Sequence, residues 1–129
     1  MFYVFDQTVT TAHVVGAEAE ILMELTEGVI HQVDVLFQDG CDHAVNVQIF
    51  KGIHQLWPTN RGKAMRGNAT VISFREFEEL ESVRTVLKAL VWGDGTVTGV
   101  EVIIQIGLLP KRVIQPLSFD ELLRAAAGM

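Results

Sequence analysis

Thr85 to Leu109 reads TVLKALVWGDGTVTGVEVIIQIGLL, and this stretch decides the fold. In its second half Val100, Val102, Ile104, Ile106 and Leu108 share one side of an extended chain, while Glu101, Ile103, Gln105 and Gly107 share the other. A period of two over ten residues is a strand with one face turned to a core. The preceding segment TVLKALVW and the Gly-rich turn GDGTVTG complete the clearest hairpin expected in the chain.

Working outward, the same signal recurs. In Ala19 to Phe37, AEILMELTEGVIHQVDVLF, the residues Ile21, Met23 and Leu25 alternate until Glu27-Gly28 interrupts, and Val29, His31, Val33, Val35 and Phe37 then fall on one face. Two strands and a tight turn account for this pattern. The turn Gln38 to His43 contains the Asp39-Gly40 step favoured in hairpin connections. A further strand places Val45, Val47 and Ile49 together, and another runs from Ile53 to Trp57, where Pro58 ends it or confines it to an edge. Residues 59–68, TNRGKAMRGN, carry no period and read as a loop. Strand character returns from Ala69 to Phe77 before an acidic patch, Glu76, Glu78, Glu79 and Glu81. With a strand from Phe2 to Thr10 the total is about eight. The expected fold is all-β, an antiparallel two-layer sandwich of jelly-roll or Greek-key type. Its expected core includes Val33, Val35, Val47, Ile49, Val102, Ile104 and Ile106.

The domain so defined spans residues 1–110, and residues 111–129 read as a C-terminal arm. Ser118 and Glu121 have capping-box spacing, with Leu117 and Leu122 placed as a hydrophobic staple, so a short helix is expected from about Phe119 to Ala127. So short a helix needs cover for Phe119, Leu122 and Leu123, from this domain or from a neighbouring subunit.

Composition narrows the function. Apolar residues make up 49% of the 129 and charged residues 20%, which supplies a core and excludes intrinsic disorder. A net charge of −6 argues against a nucleic-acid backbone as partner. The single cysteine, Cys41, can form neither an intrachain disulfide nor a thiolate zinc site alone. No run of apolar residues is long enough for a membrane span, and the start Met1-Phe2-Tyr3-Val4-Phe5-Asp6 lacks the features of a signal peptide. A protein of the cytoplasm, or of a particle assembled there, is expected.

Chemistry-bearing motifs are sparse. His13, His31, His43 and His54 show no metal-ligand spacing, so no metal is expected and ordinary strand and loop histidines are the better reading. Asp39, Cys41, Asp42 and His43 crowd one turn, yet residues two apart seldom serve as nucleophile and base, and a solvated turn is preferred. Glu76 and Glu78 share a strand face and resemble a glycosidase pair only in spacing, since such carboxylates usually come from different elements. There is no nucleophile elbow, phosphate loop or dinucleotide fingerprint. No catalytic residue, cofactor or enzymatic activity is expected.

The interaction candidates are Trp57, Arg61, Lys63 and Arg66, together with Phe119, Leu122 and Leu123 of the arm. Trp57 can anchor an interface, stack on a sugar together with Trp92 and with Asn60, Arg61 and Asn68 as polar readers, or plug the sandwich edge. Arg61, Lys63 and Arg66 form a basic cluster that can meet the acidic patch of an adjacent copy, or remain solvated.

At GVIHQVDVLFQDGCDHAVNVQIFKGIHQLWPTN, and again at GVEVIIQIGLLP, the chain resembles the small β-sandwich proteins of tailed-phage particles, which decorate capsids or build head and tail connections. The resemblance is one of style over residues 19–110, carried by no single motif. It implies a virion protein without an active site, whose partners are copies of itself and other subunits of a larger assembly. The alternative is a β-sandwich module that binds carbohydrate or another small ligand through Trp57.

Overall fold

The computed structural model describes residues 1–110. The arm at 111–129, with its expected helix and with Phe119, Leu122 and Leu123, lies outside the described residues. The runs of alternation become eight strands: β1 (Phe2–Val9), β2 (Ala19–Leu25), β3 (Gly28–Phe37), β4 (Asn46–Lys51), β5 (His54–Trp57), β6 (Thr70–Leu80), β7 (Thr85–Trp92) and β8 (Val100–Leu109). They form two four-stranded antiparallel sheets, a first sheet in the order β1-β8-β3-β6 and a second in the order β2-β7-β4-β5. The pairings β1 with β8, β2 with β7, β3 with β6 and β4 with β5 are nested one inside the next. Rolling such a nested ribbon into two layers gives the jelly roll.

The inner faces of the two sheets make one core. Val33, Val35, Val47, Ile49, Val102, Ile104 and Ile106 are all 0% exposed, as their alternation requires. Burying side chains of this size contributes roughly 1.5–3 kcal/mol each against the cost of ordering the chain.

Three local readings need correction. The stretch from Thr85 to Leu109 is no hairpin: β7 lies in the second sheet between β2 and β4, and β8 in the first between β1 and β3. Residues 93–99 therefore arch across the sandwich, and the links from β2 to β3 and from β3 to β4 also change sheet. Among the described strands, β4 and β5 alone are consecutive neighbours within a sheet. The physical reason is that β7 and β8 each bury an apolar face, and an arch sets those faces opposite one another across the core. A hairpin would set them side by side.

The second correction concerns His31. The ladder of β3 with β8 shifts register between Ile30 and Gln32, so His31 is the extra residue of a bulge against β8, whereas against β6 the extra residue lies in β6, at 76–77. Ile30 and Val33 are both fully buried, whereas His31 is half-buried and leaves the face it was expected to share with Val33. Third, β6 continues beyond Phe77 to Leu80, which is fully buried and pairs with Gly28. Gly28 must be glycine, because a Cβ there would lie 2.6 Å from the Leu109 carbonyl oxygen.

Candidate functional site

The alternation that fills the core also dictates the outer face of the first sheet. The ladder aligns Phe2, Gly107, Gln32 and Arg75 in one row across it, then Val4, Gln105, Asp34 and Ser73, then Asp6, Ile103, Leu36 and Val71. Between the first and middle rows polar groups satisfy one another. Gln32 Nε2 donates to Asp34 Oδ1 at 3.0 Å and to Ser73 Oγ at 2.7 Å, and the Ser73 hydroxyl donates to Asp34 Oδ1 at 2.5 Å.

One row further the face turns apolar and concave. Leu36, Val71 and Ile103 line a groove of about 340 Å³, flanked by Ala69 and Thr70 on one side and by Gln38 and Glu101 on another. Gln38 fixes its end: its backbone N–H donates to the Glu101 carbonyl at 3.2 Å, and its Oε1 accepts from the Glu101 N–H at 2.8 Å. Ala69 enters β6 with a φ of 48°, a left-handed conformation that is costly for a residue with a Cβ. Asn68 supports this backbone, since its Oδ1 accepts from the N–H groups of Gly40 and Asp42, each at 2.9 Å. The loop before β6 is thereby tied to the arch between β3 and β4. Sequence reasoning gave Asn68 a ligand-reading role; the structure spends its carbonyl on this tie.

Trp57 is 4% exposed, and its ring packs edge-on against Phe74 at 5.7 Å and 63°. So enclosed, Trp57 plugs the core and offers no platform for a sugar, whereas Trp92, at the end of β7, is half-buried. The tryptophan closes the gap between two edge strands, β5 of the second sheet and β6 of the first.

Arg61, Lys63 and Arg66 are exposed and make no ion pair among the described residues. Their loop is well held even so. Gln55 Nε2 donates to the carbonyls of Pro58 at 2.7 Å and Lys63 at 3.0 Å, its Oε1 accepts from the Gly62 N–H at 3.2 Å, and Gln48 adds a second bond to the Lys63 carbonyl at 3.0 Å. Gln55 and Gln48 went unread in the sequence because glutamines within strands carry no periodic signal. The acidic side of the expected pairing differs from a solvated patch: Glu76 and Glu78 are half-buried on the inner side of β6, and Glu78 reaches Lys51 of the second sheet at 3.6 Å.

The remaining candidates are dispersed. Cys41 is fully buried, and burial pushes its thiol pKa up, against a weaker opposing hydrogen bond at the Gln38 backbone. A buried thiol with a raised pKa is a poor nucleophile. His43 and His54 are exposed, and His13 accepts from the Thr10 N–H at 3.1 Å. No three His, Cys, Asp or Glu side chains converge among the described residues. No protein-family model and no curated protein matches the chain.

Proposed function

We propose that the chain is a non-enzymatic structural or assembly subunit whose first sheet receives an apolar segment of a neighbouring copy. The observation that carries this reading is the groove of about 340 Å³ lined by Leu36, Val71 and Ile103, on a face that also presents Phe2 at 64%, Val4 at 61% and Phe77 at 61% exposure. Apolar area gathered on one face of a small domain marks a contact surface. The occupant we assign is residues 117–129 of another copy, where Phe119, Leu122 and Leu123 offer side chains of matching character. Burying three of them contributes roughly 1.5–3 kcal/mol each before ordering costs, enough to hold subunits together in a repetitive assembly. The likeness in style to tailed-phage β-sandwich proteins supports a virion setting, as a capsid decoration or a head or tail component.

Sedimentation of the full chain at micromolar concentration tests the reading. Species larger than the monomer should be present, and both Ile103→Asp and deletion of residues 117–129 should diminish them while leaving the melting temperature nearly unchanged. A wild-type chain that stays monomeric overturns the reading. So does a deletion that unfolds the domain, because the arm then belongs to its own core.

A further inference from the structure

The first sheet has an unpaired edge whose main-chain groups are set out for a strand. Met1 and Leu108 exchange both backbone hydrogen bonds, each at 2.7 Å, so in the regular register of β1 on β8 the odd-numbered residues bond to β8. The N–H and C=O groups of Phe2, Val4, Asp6 and Thr8 therefore point away from β8. No strand pairs with them among the described residues.

The other three edges are protected. β6 carries Arg75, Glu76, Glu78 and Glu79, two of these glutamates on its inner side, and its register with β3 is broken. β2 carries Glu20 and Glu24, and β5 is four residues long and stops at Pro58. Charges, inward glutamates, bulges and shortness are the devices that keep strand edges from pairing. β1 has only a single charge of this kind. Its eight residues FYVFDQTV run without a register shift, contain no proline and include one charge, Asp6.

We propose that β1 is a homodimerisation edge, which pairs antiparallel with β1 of a second copy about a two-fold axis through Phe5. In this register Phe2 bonds to Thr8 and Val4 to Asp6 of the partner strand, and each of the four outward-bonding residues meets another of its kind. On the inner side Phe5 lies opposite its own copy and Tyr3 opposite Gln7. Tyr3 and Phe5 are half-buried and already stacked in parallel, with centroids 6.3 Å apart, so each keeps apolar area that a partner strand can cover. The axis avoids Asp6, where two like charges would face each other. A second copy is the occupant because the pattern of outward N–H and C=O groups is self-complementary about that axis and sets no like charges directly opposite one another. The edge and the groove use different atoms, so either contact can fail alone.

Two variants of the full chain test this. Val4→Pro removes an N–H that points away from β8, at an edge position where proline is tolerated. It should keep the native circular dichroism spectrum and lower the dimer association constant by at least about tenfold, since one donor per chain is lost. Phe5→Cys sets two thiols at a non-hydrogen-bonded pair with a Cα separation of about 4.5 Å, within disulfide range, and should cross-link on oxidation. Tyr3→Cys should not, because that residue is offset from its own copy by four positions. Should Val4→Pro fail to fold, the cross-linking pair decides alone. Equal dimerisation by folded Val4→Pro, or cross-linking by Tyr3→Cys and not by Phe5→Cys, overturns the proposal. A monomer whose Val4 and Asp6 amides resist hydrogen exchange also overturns it, by placing the same chain's residues 111–129 on the edge. Deleting residues 117–129 leaves this dimer intact, which separates its failure from that of the groove.

Discussion

The two sheets meet the same demand on their inner faces and answer different demands on their outer ones. The second sheet turns Glu20, Leu22 and Glu24 of β2 outward, with Lys88 of β7 near Glu20 at 4.0 Å and Arg84 on Glu24 at 2.9 Å. Leu22 stands 66% exposed between these carboxylates and opposite Lys88, with Val86 and Leu90 diagonal to it. The first sheet instead gathers Leu36, Val71 and Ile103 around a groove and locks its middle row with the Gln32, Asp34 and Ser73 bonds. Folding requires only that the buried positions alternate. What stands on the other side of the same strands is unconstrained by the core, and there the two sheets diverge.

The largest expected effects test the shared half of this comparison. Ile104→Ala in the first sheet and Ile49→Ala in the second should each cost about 2–5 kcal/mol in urea unfolding, since both side chains are fully buried. A difference of more than about 2 kcal/mol between them would break the symmetry of the core. Next is Asn68→Ala, which removes the acceptor for two backbone donors and should cost about 1–2 kcal/mol. Faster amide exchange at Gly40 and Asp42 should accompany it, and Leu22→Ser should produce neither change. Smaller still is Arg84→Ala. Its exposed pair with Glu24 should be worth under about 0.5 kcal/mol and vanish at high salt, so a larger loss would give the second sheet's charges a structural role.

The arches that join the sheets supply the pH dependence. Cys41 follows β3, and its pKa is raised from 9.0 by burial, so the folded state holds its proton more tightly than the unfolded chain. Stability should be undiminished below that value and fall as pH climbs above it. Cys41→Ala should flatten the decline, and the native thiol should react with a disulfide reagent only as denaturant opens the domain. Asp94 behaves in the opposite sense. Bonds from the Thr96 hydroxyl and N–H hold its pKa below 3.8, so its contribution is present above that value and is lost as pH falls through the lower folded pKa. Asp94→Asn should remove a small part of the acid sensitivity in thermal melts.

Strand positions were legible because burial on one side imposes a period of two, which β8 obeys from Val100 to Ile106 before Gly107, on the outer side, is buried as well. The partner of each strand was not legible. Hairpins and arches require the same alternation and the same Gly-rich turns, so GDGTVTG and the Asp39-Gly40 step could not disclose that they cross between sheets. His31 was misplaced for a related reason: a bulge leaves the residue pattern intact while shifting its phase. The groove was illegible because Leu36, Val71 and Ile103 lie far apart in the chain and meet only through the ladder. Trp57 stood out by its residue type, but type alone does not say which way a side chain points.

The nested order of pairing also sets a sequence of events in time. β4 and β5 meet after a two-residue turn, whereas β1 has no partner until β8, near residue 100, has been made. At about 5–20 residues per second, translation leaves the first strand waiting on the order of 5–20 s, and the pairs with the longest sequence separation close last. During that interval both edges of Phe2 to Val9 are open, so the strand made first is the one whose pairing completes the fold.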